Sequence, residues 1–419
     1  MAEQTCVLYL SGTLPTRSET FVYREIFALR ELDARIETAS VHTPGRGLGD
    51  PRLDELAVET TAIYARGPLG IGSDAVAATL RKPFRSGATL ALAIADAAFS
   101  KDVRGRRRLK VLWQCVAAMS LAHRVRDREI GHVHAHMAHV PTTIGMYASR
   151  QLGVGFSFTG HANDLFPNRT LLAEKLRRAV WVNCISDWHR SFYQSIVPRA
   201  ERDYPIVRCG VDTRSVRPVN TPRGAVLEVL GVGRLVEKKG FDALIVAAGR
   251  IAAEGGPAIR VRIAGSGPEE SRLRTLVDGL PPGACVELLG DTPNDRVLEL
   301  MTSCDVFVLP CRVASSGDRD GIPVVLMEAM ALGRCVVSGN LETIRELIED
   351  KRSGLMVSPG DPEEVAHALR SLANDRGLVE NLGRCGRERV ESEFDVTLNA
   401  KRILLAMADH GIGSVGGVM

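Results

Sequence analysis

The chain has 419 residues, of which 45% are apolar, 25% charged and 5% aromatic. That length exceeds one ordinary domain, and the composition excludes a disordered, collagenous or disulfide-framework protein. The net charge of +3 hides an imbalance: residues 1–205 carry 27 basic against 20 acidic side chains, and residues 206–419 carry 26 against 30.

The opening MAEQTCVLYLSG has neither the basic start nor the small-residue cleavage site of a secretory leader, and it reads as a first strand ending at Gly12. SETFVYREIFALREL follows with helical spacing, and Ser18 is a natural N-cap beside Glu19. IETASVHT is a second strand, and residues 73–129 read as helical and basic. No uncharged apolar run reaches the roughly 20 residues needed to span a bilayer; the longest, GATLALAIADAAF, contains Asp96. The densest basic run, KDVRGRRRLK, follows it. Residues 81–110 fit peripheral contact with an anionic membrane and equally a solvated helix face. Nucleic acid is not expected, because no aromatics interleave with the basic run.

Strands resume at HVHAH, FSFTGH, VNCIS and YPIVRCG. Four of the ten histidines, His132, His134, His136 and His139, fall together here. The first three alternate along the strand and share one sheet face. No acid lies within the cluster and no HExxH is present, so no metal site is expected. The nine cysteines are scattered without a CxxC pair, which fits reduced, buried thiols in a cytoplasmic protein.

The turn-rich CGVDTRSVRPVNTPRG marks a join. We therefore expect a first domain over 1–208, a second over 209–395, and a final helix in 396–419 that packs back on the first. From AVLEVLGVGRL onward, short apolar strands alternate with amphipathic helices. This is the βαβ rhythm of a parallel sheet, so the class is α/β with two Rossmann-like halves. Ligands bind such sheets beyond the carboxyl ends of the strands.

One stretch after a strand carries most of the information: GDRDGIPVVLMEAMALG. Its helix begins near Pro323, and backbone N–H groups at a helix start can hold an anion or a sugar hydroxyl. Asp320 lies just before the helix. Glu328 lies within an otherwise apolar helix, where a charge is costly without a partner. A plain N-cap for Asp320 and a core arginine for Glu328 would satisfy the same pattern.

The spacing Asp320–x7–Glu328 resembles the E-x7-E motif of retaining glycosyltransferases of family 4, which have the GT-B fold of two facing Rossmann-like domains with a cleft between them. GVGRLVEKKGFDALIVA, IAGSGPEESRLRTL, VFVLPC, EAMALGRCVVSG, GLMVSPGDPEEVAHAL and ERVESEF resemble successive blocks of that family. LSGTLPTRSETFVYREI, HVHAHMAH and FSFTGHANDLF resemble its bacterial exopolysaccharide, colanic-acid-type branch. Residues 44–130 match least, and the first acidic position is Asp320 where the motif has Glu.

The resemblance implies roles. Arg234 and Lys239, after Gly233, would neutralise the donor diphosphate, although two surface cations would look the same. Gly265 and Gly267 would pass close to the nucleotide base, or only make a strand-to-helix turn. Glu328 would bind the ribose. Asp320, with the backbone of Gly321, Ile322, Pro323 and Val324, would hold the transferred sugar and the β-phosphate. Gly12 would bring backbone to the diphosphate or merely form a tight turn. His161 would lie against the sugar or be a satisfied loop histidine. Ser18, Glu19 and Asp164 would meet acceptor or donor, or cap helices. His161, Asp320, Arg234 and Lys239 form the catalytic set. No cofactor is implied beyond a UDP-sugar or GDP-sugar donor, and Asp318–Asp320 (DRD) is read as metal-independent.

The implied protein is a retaining glycosyltransferase that moves a hexose to a lipid-linked or oligosaccharide acceptor in exopolysaccharide or other cell-surface glycan synthesis. It would be cytoplasmic or peripheral on the inner face of the cell membrane. The alternatives are an epimerase or glycogen-synthase-like enzyme of the same fold, and a catalytically silent sugar-nucleotide-binding protein.

Overall fold

Two fully parallel sheets of six strands carry the fold of this computed structural model, which describes residues 4–16, 19–161, 169–218 and 224–413. The chain divides into two compact units: Met1–Cys209 with Val396–Met419, and Gly210–Asp395.

The first sheet contains β1 (Cys6–Ser11), β2 (Ile36–Ser40), β3 (Thr61–Ala62), β4 (Ile130–His136), β5 (Gly155–Gly160) and β6 (Val182–Cys184), in the order β3-β2-β1-β4-β5-β6. The second contains β7 (Leu227–Val232), β8 (Ile259–Ala264), β9 (Cys285–Gly290), β10 (Val306–Leu309), β11 (Cys335–Gly339) and β12 (Leu355–Val357), in the order β12-β11-β10-β7-β8-β9. Counted within each unit, both orders are 3-2-1-4-5-6, the doubly wound arrangement. The direction of winding reverses between β1 and β4 in one sheet and between β7 and β10 in the other. Both central strands, β1 and β10, are buried along their whole length, as strands covered on both faces must be.

YPIVRCG does not form the expected strand. It contributes only an isolated bridge between Ile206 and Cys184, because Pro205 has no N–H to give a ladder. The basic helical region starts earlier than expected and breaks into helices Gly67–Arg81, Pro83–Phe99 and Arg106–Arg124. Lys82 precedes Pro83 and is pushed out of helical geometry (φ −136°, ψ 66°). Gly105, at φ 53°, makes the second break.

The helix Val396–Asp409 lies in the first unit against the helix Thr20–Glu31. Val396, Ala400, Ile403, Leu404 and Met407 repeat at helical spacing and share one buried cluster with Val7, Tyr9, Ile26, Leu29 and Trp181.

Candidate functional site

In the second unit the loops after the neighbouring strands β7 and β8 are packed backbone to backbone. Gly265 has φ 142°, and a Cβ there would lie 1.9 Å from the carbonyl oxygen of Gly233. A Cβ on Gly267 would lie 2.4 Å from that of Leu235. These glycines let the loop after β8 lie on the loop after β7, fastened by Gly233 N–H to Ala264 O at 3.0 Å and Leu235 N–H to Ser266 O at 2.9 Å. Their first role is therefore to place Arg234.

Lys238 and Lys239 leave the same β7 loop and converge on the loop after β10. Lys239 Nζ is 2.8 Å from Asp320 Oδ2, and Lys238 Nζ is 3.0 Å from Asp318 Oδ2 and 3.5 Å from Asp320 Oδ1. Burial by itself would raise the Asp320 carboxyl, but Lys239 and then Lys238 outweigh it and hold it below the ordinary carboxylate range. Burial would lower the Lys239 ammonium, and Asp320 more than restores it. Both groups are thus charged at neutral pH. The Cys311 thiol, at the end of β10, donates to Asp320 Oδ2 at 3.4 Å. Arg234 is exposed beside Lys239 and has no ion-pair partner among the described residues.

Asp320 is consequently not an N-cap. Pro323 occupies the N-cap position of the helix Val324–Ala331 without a side-chain cap, and the Asp320 carboxylate points to the lysines instead. Thr343, in the loop after β11, holds the approach to that helix: its hydroxyl donates toward Asp320 O (3.2 Å) and Gly321 O (3.1 Å). Gly321, Ile322 and Val324 are partly exposed around the helix start and Pro323 is buried. Glu328 is half-buried, while Leu326, Met327, Ala329, Met330 and Ala331 around it are buried.

In the first unit, Gly12 ends β1. It has no positive φ, and a Cβ there would meet nothing within 4 Å. Neither a positive φ nor close packing requires glycine at this position, and open space surrounds it. Glu19 precedes the helix Thr20–Glu31 without capping it. Its carboxyl is raised by burial, against the opposing pull of His136 and the Ser11 hydroxyl at 3.5 Å. Ser18 and Asp164 lie outside the described residues.

The histidines line the adjoining strands. His132 Nε2 and His134 Nδ1 share the Ser157 hydroxyl at 2.7 and 2.8 Å, and His134 Nε2 meets Thr159 Oγ1 at 3.0 Å. A carboxylate does enter the cluster, from a helix distant in sequence. Glu25 Oε1 accepts from Tyr9 Oη at 3.0 Å and lies 3.2 Å from His136 Nε2. Glu25, His134 and His136 bring ligand atoms within 4.8 Å of one another. Hydrogen bonding already occupies both nitrogens of His134 and the Glu25–His136 contact.

His136 Nδ1 faces His161 Nε2 at 3.4 Å, His161 Nδ1 faces Cys209 Sγ at 3.9 Å, and Phe21 packs on the His161 ring at 4.4 Å. Burial, followed by His136, His189 and His139, pushes the His161 pKa far down. Burial lowers that of His132 to about 3 and, with Lys175, that of His139 to about 4. These rings are neutral at pH 7, so they offer hydrogen bonds and no charge. His139 caps the helix Val140–Leu152. Fully buried Lys175 donates to Ala138 O, His139 O and Thr170 O at 2.7, 3.0 and 2.8 Å, which fixes the turn after β4.

Glu25, Thr343 and Lys175 were missed in the sequence because each occupies an ordinary amphipathic or turn position. Thr343 alone had a signal, its place in a loop after a strand.

Two parallel six-stranded Rossmann-like units define a protein of the GT-B class of fold. Comparison with solved structures agrees: the chain is similar to Anabaena Alr3699/HepE, solved in complex with UDP, with a TM-score of 0.69 and 16% identity over 97% of this chain and 100% of that one. Residues 213–389, nearly the whole of the second unit, match the family described as Glycosyl transferases group 1. Among curated proteins, the putative colanic acid biosynthesis glycosyltransferase WcaL of Escherichia coli (strain K12) is 41% identical over 193 residues, 45% of this chain and 47% of that protein. The amylovoran biosynthesis glycosyltransferase AmsK of Erwinia amylovora is 38% identical over 169 residues, 40% of this chain and 41% of that protein. The chain thus spans about half the length of the curated relatives it matches.

Proposed function

We propose that the protein is a retaining glycosyltransferase that moves a hexose from a nucleoside diphosphate sugar to a lipid-linked or oligosaccharide acceptor in the synthesis of an exopolysaccharide or another cell-surface glycan. The group 1 domain and the exopolysaccharide enzymes among its relatives support this reading. The observation that carries it is the cationic cluster at the end of β7. Two lysines meet the largely buried Asp320, and Arg234 stands beside them with no ion-pair partner among the described residues.

Arg234 and Lys239 would take up the negative charge of the departing diphosphate, Arg bidentately and Lys as a point charge. Asp320 would orient Lys239 and accept a hydroxyl of the transferred sugar, and Glu328 would accept from the ribose. His161, held neutral by burial, would hydrogen-bond the sugar without competing for the diphosphate. The acceptor would attack from the face the diphosphate leaves, a donor phosphate oxygen taking its proton. No metal is needed where cations and helix starts already meet that charge.

The test is a transfer assay over UDP-glucose, UDP-galactose, UDP-N-acetylglucosamine and GDP-mannose, with and without EDTA, reading the anomeric configuration of the product by NMR. Retained configuration, dependence on Asp320 and indifference to EDTA are expected. Binding of a sugar nucleotide without transfer to any acceptor would favour the silent binding protein.

A further inference from the structure

The outer face of the helix Pro83–Phe99 has no charged side chain. Phe84, Gly87, Ala88, Ala91, Ile94, Ala98 and Phe99 fall on one side of it, opposite the buried Ser86, Thr89, Ala93, Asp96 and Ala97. Phe84 is 94% exposed, Phe99 84% and Ile94 52%. The helix's two charges are both turned to the protein: Arg85 reaches Leu152 O at 2.6 Å, and Asp96 is held by Arg178 and Tyr147. The neighbouring helix Gly67–Arg81 repeats the pattern, with Leu69, Ser73, Val76 and Leu80 in one exposed stripe opposite Ile71, Ala75 and Ala78. Isolated exposed leucines need no explanation, but a whole apolar helix face does.

Cations bracket this face. Arg81 and Lys82 stand at one end, and Lys101, Arg104, Arg106, Arg107, Arg108 and Lys110 at the other. All are exposed and none is ion-paired among the described residues. Arg106, Arg107 and Arg108 also open the helix Arg106–Arg124, with no acid in its first turn. Positive charge there opposes the helix dipole, so it weakens the fold and asks for an external anion. Among the described residues no helix is long and apolar enough to cross a membrane.

We propose that the helix Pro83–Phe99 lies flat in an anionic lipid surface, Phe84, Ile94 and Phe99 entering the acyl boundary while the 101–110 cations contact lipid phosphates. The charge of this face fits anionic lipid better than a second copy of the same basic surface, which would repel it. The proposal does not depend on the sugar-transfer reading.

The experiment is co-sedimentation of the full chain with vesicles of phosphatidylcholine alone and of equal parts phosphatidylcholine and phosphatidylglycerol, with sedimentation velocity on the lipid-free protein. Wild type should pellet with the anionic vesicles and stay in solution with the neutral ones. Phe84→Asp with Ile94→Asp, both exposed, should weaken partitioning by about tenfold or more. Arg106→Gln, Arg107→Gln and Arg108→Gln together should do the same and remove most of the salt dependence. Sugar-nucleotide thermal shifts should be unchanged in both variants. Failure of the wild type to pellet, or wild-type partitioning by either variant, overturns the proposal. A dimer that the Phe84→Asp, Ile94→Asp variant dissociates, with no vesicle binding, overturns it in favour of a second copy.

Discussion

Lys239 Nζ and Asp320 Oδ2 lie 2.8 Å apart, and their side chains are only 13% and 14% exposed. Removing one partner leaves the other charge poorly solvated, whereas removing both does not. Asp320→Asn should therefore cost about 3 kcal/mol of stability, with Lys238 left facing Lys239. Lys239→Met with Asp320→Asn should cost less than the sum of the single changes. Denaturant melts of the four proteins measure that coupling, and additive losses would show that the pair does not act as a unit. Transfer by Asp320→Asn should fall by about two to three orders of magnitude, as for loss of one preorganised electrostatic contact.

His161 has a different chemical standing. Burial keeps its ring neutral well below its ordinary pKa, so a hydrogen bond from it to sugar should not titrate in the physiological range. The pH profile of kcat/KM should show no His161 inflection between about pH 6 and pH 8. His161→Ala should lower kcat without introducing one. An inflection near 6.5 that disappears in His161→Ala would show that the ring works as an acid or base.

The alternation of strands and helices in the second half was legible because buried parallel strands are apolar throughout and their ends are marked by glycines, as in VLGVGR and RIAGSG. The convergence of Lys239 with Asp320 was not. Nothing in the spacing says that the β7 and β10 loops are neighbours, since β8 and β9 intervene in the chain while the sheet places β10 directly beside β7. Glu25 shows the same limit, since its helical position looks solvent-facing until Tyr9 and His136 are seen against it. YPIVRCG misled because its apolar residues support a strand while its proline denies the ladder.

Glycines in the two units should separate packing from binding. At Gly265 the backbone is left-handed and the neighbouring carbonyl lies 1.9 Å from an added Cβ, so Gly265→Ala should cost several kcal/mol, about what overpacking with strain requires. At Gly12 there is free space, and Gly12→Ala should leave the melting temperature unchanged. If Gly12 brings backbone to the donor diphosphate, the same methyl should weaken sugar-nucleotide binding by about tenfold, roughly the worth of one lost hydrogen bond to a charged group. Calorimetric titration checks this, and unaltered affinity would remove Gly12 from the donor site.

The cluster of Glu25, His134 and His136 allows a direct test of metal dependence. Because Ser157 and Thr159 hydrogen-bond both nitrogens of His134, EDTA should change neither the melting temperature nor the transfer rate. A drop in melting temperature with EDTA that added zinc restores would make the cluster a structural metal site.

Two other buried histidines, His132 and His189, should make the first unit the acid-sensitive one. An unfolded chain protonates its histidines near pH 6.5, but burial holds His132 and His189 to about 3 in the folded unit. Between those values the unfolded state binds more protons, so stability rises with pH. This contribution is complete above about 6.5 and is lost as the pH falls toward 3, at up to about 1.4 kcal/mol per ring per pH unit. In the second unit the depressed Asp320 carboxyl stabilises above its ordinary value of 3.8 and is lost only below it. Calorimetric scans from about pH 7 to about pH 5 should therefore show the transition of the first unit moving down ahead of the second. Hydrogen exchange would assign the early transition to β4 and β5, and a pH-independent first transition would mean that the rings are solvated in the folded state.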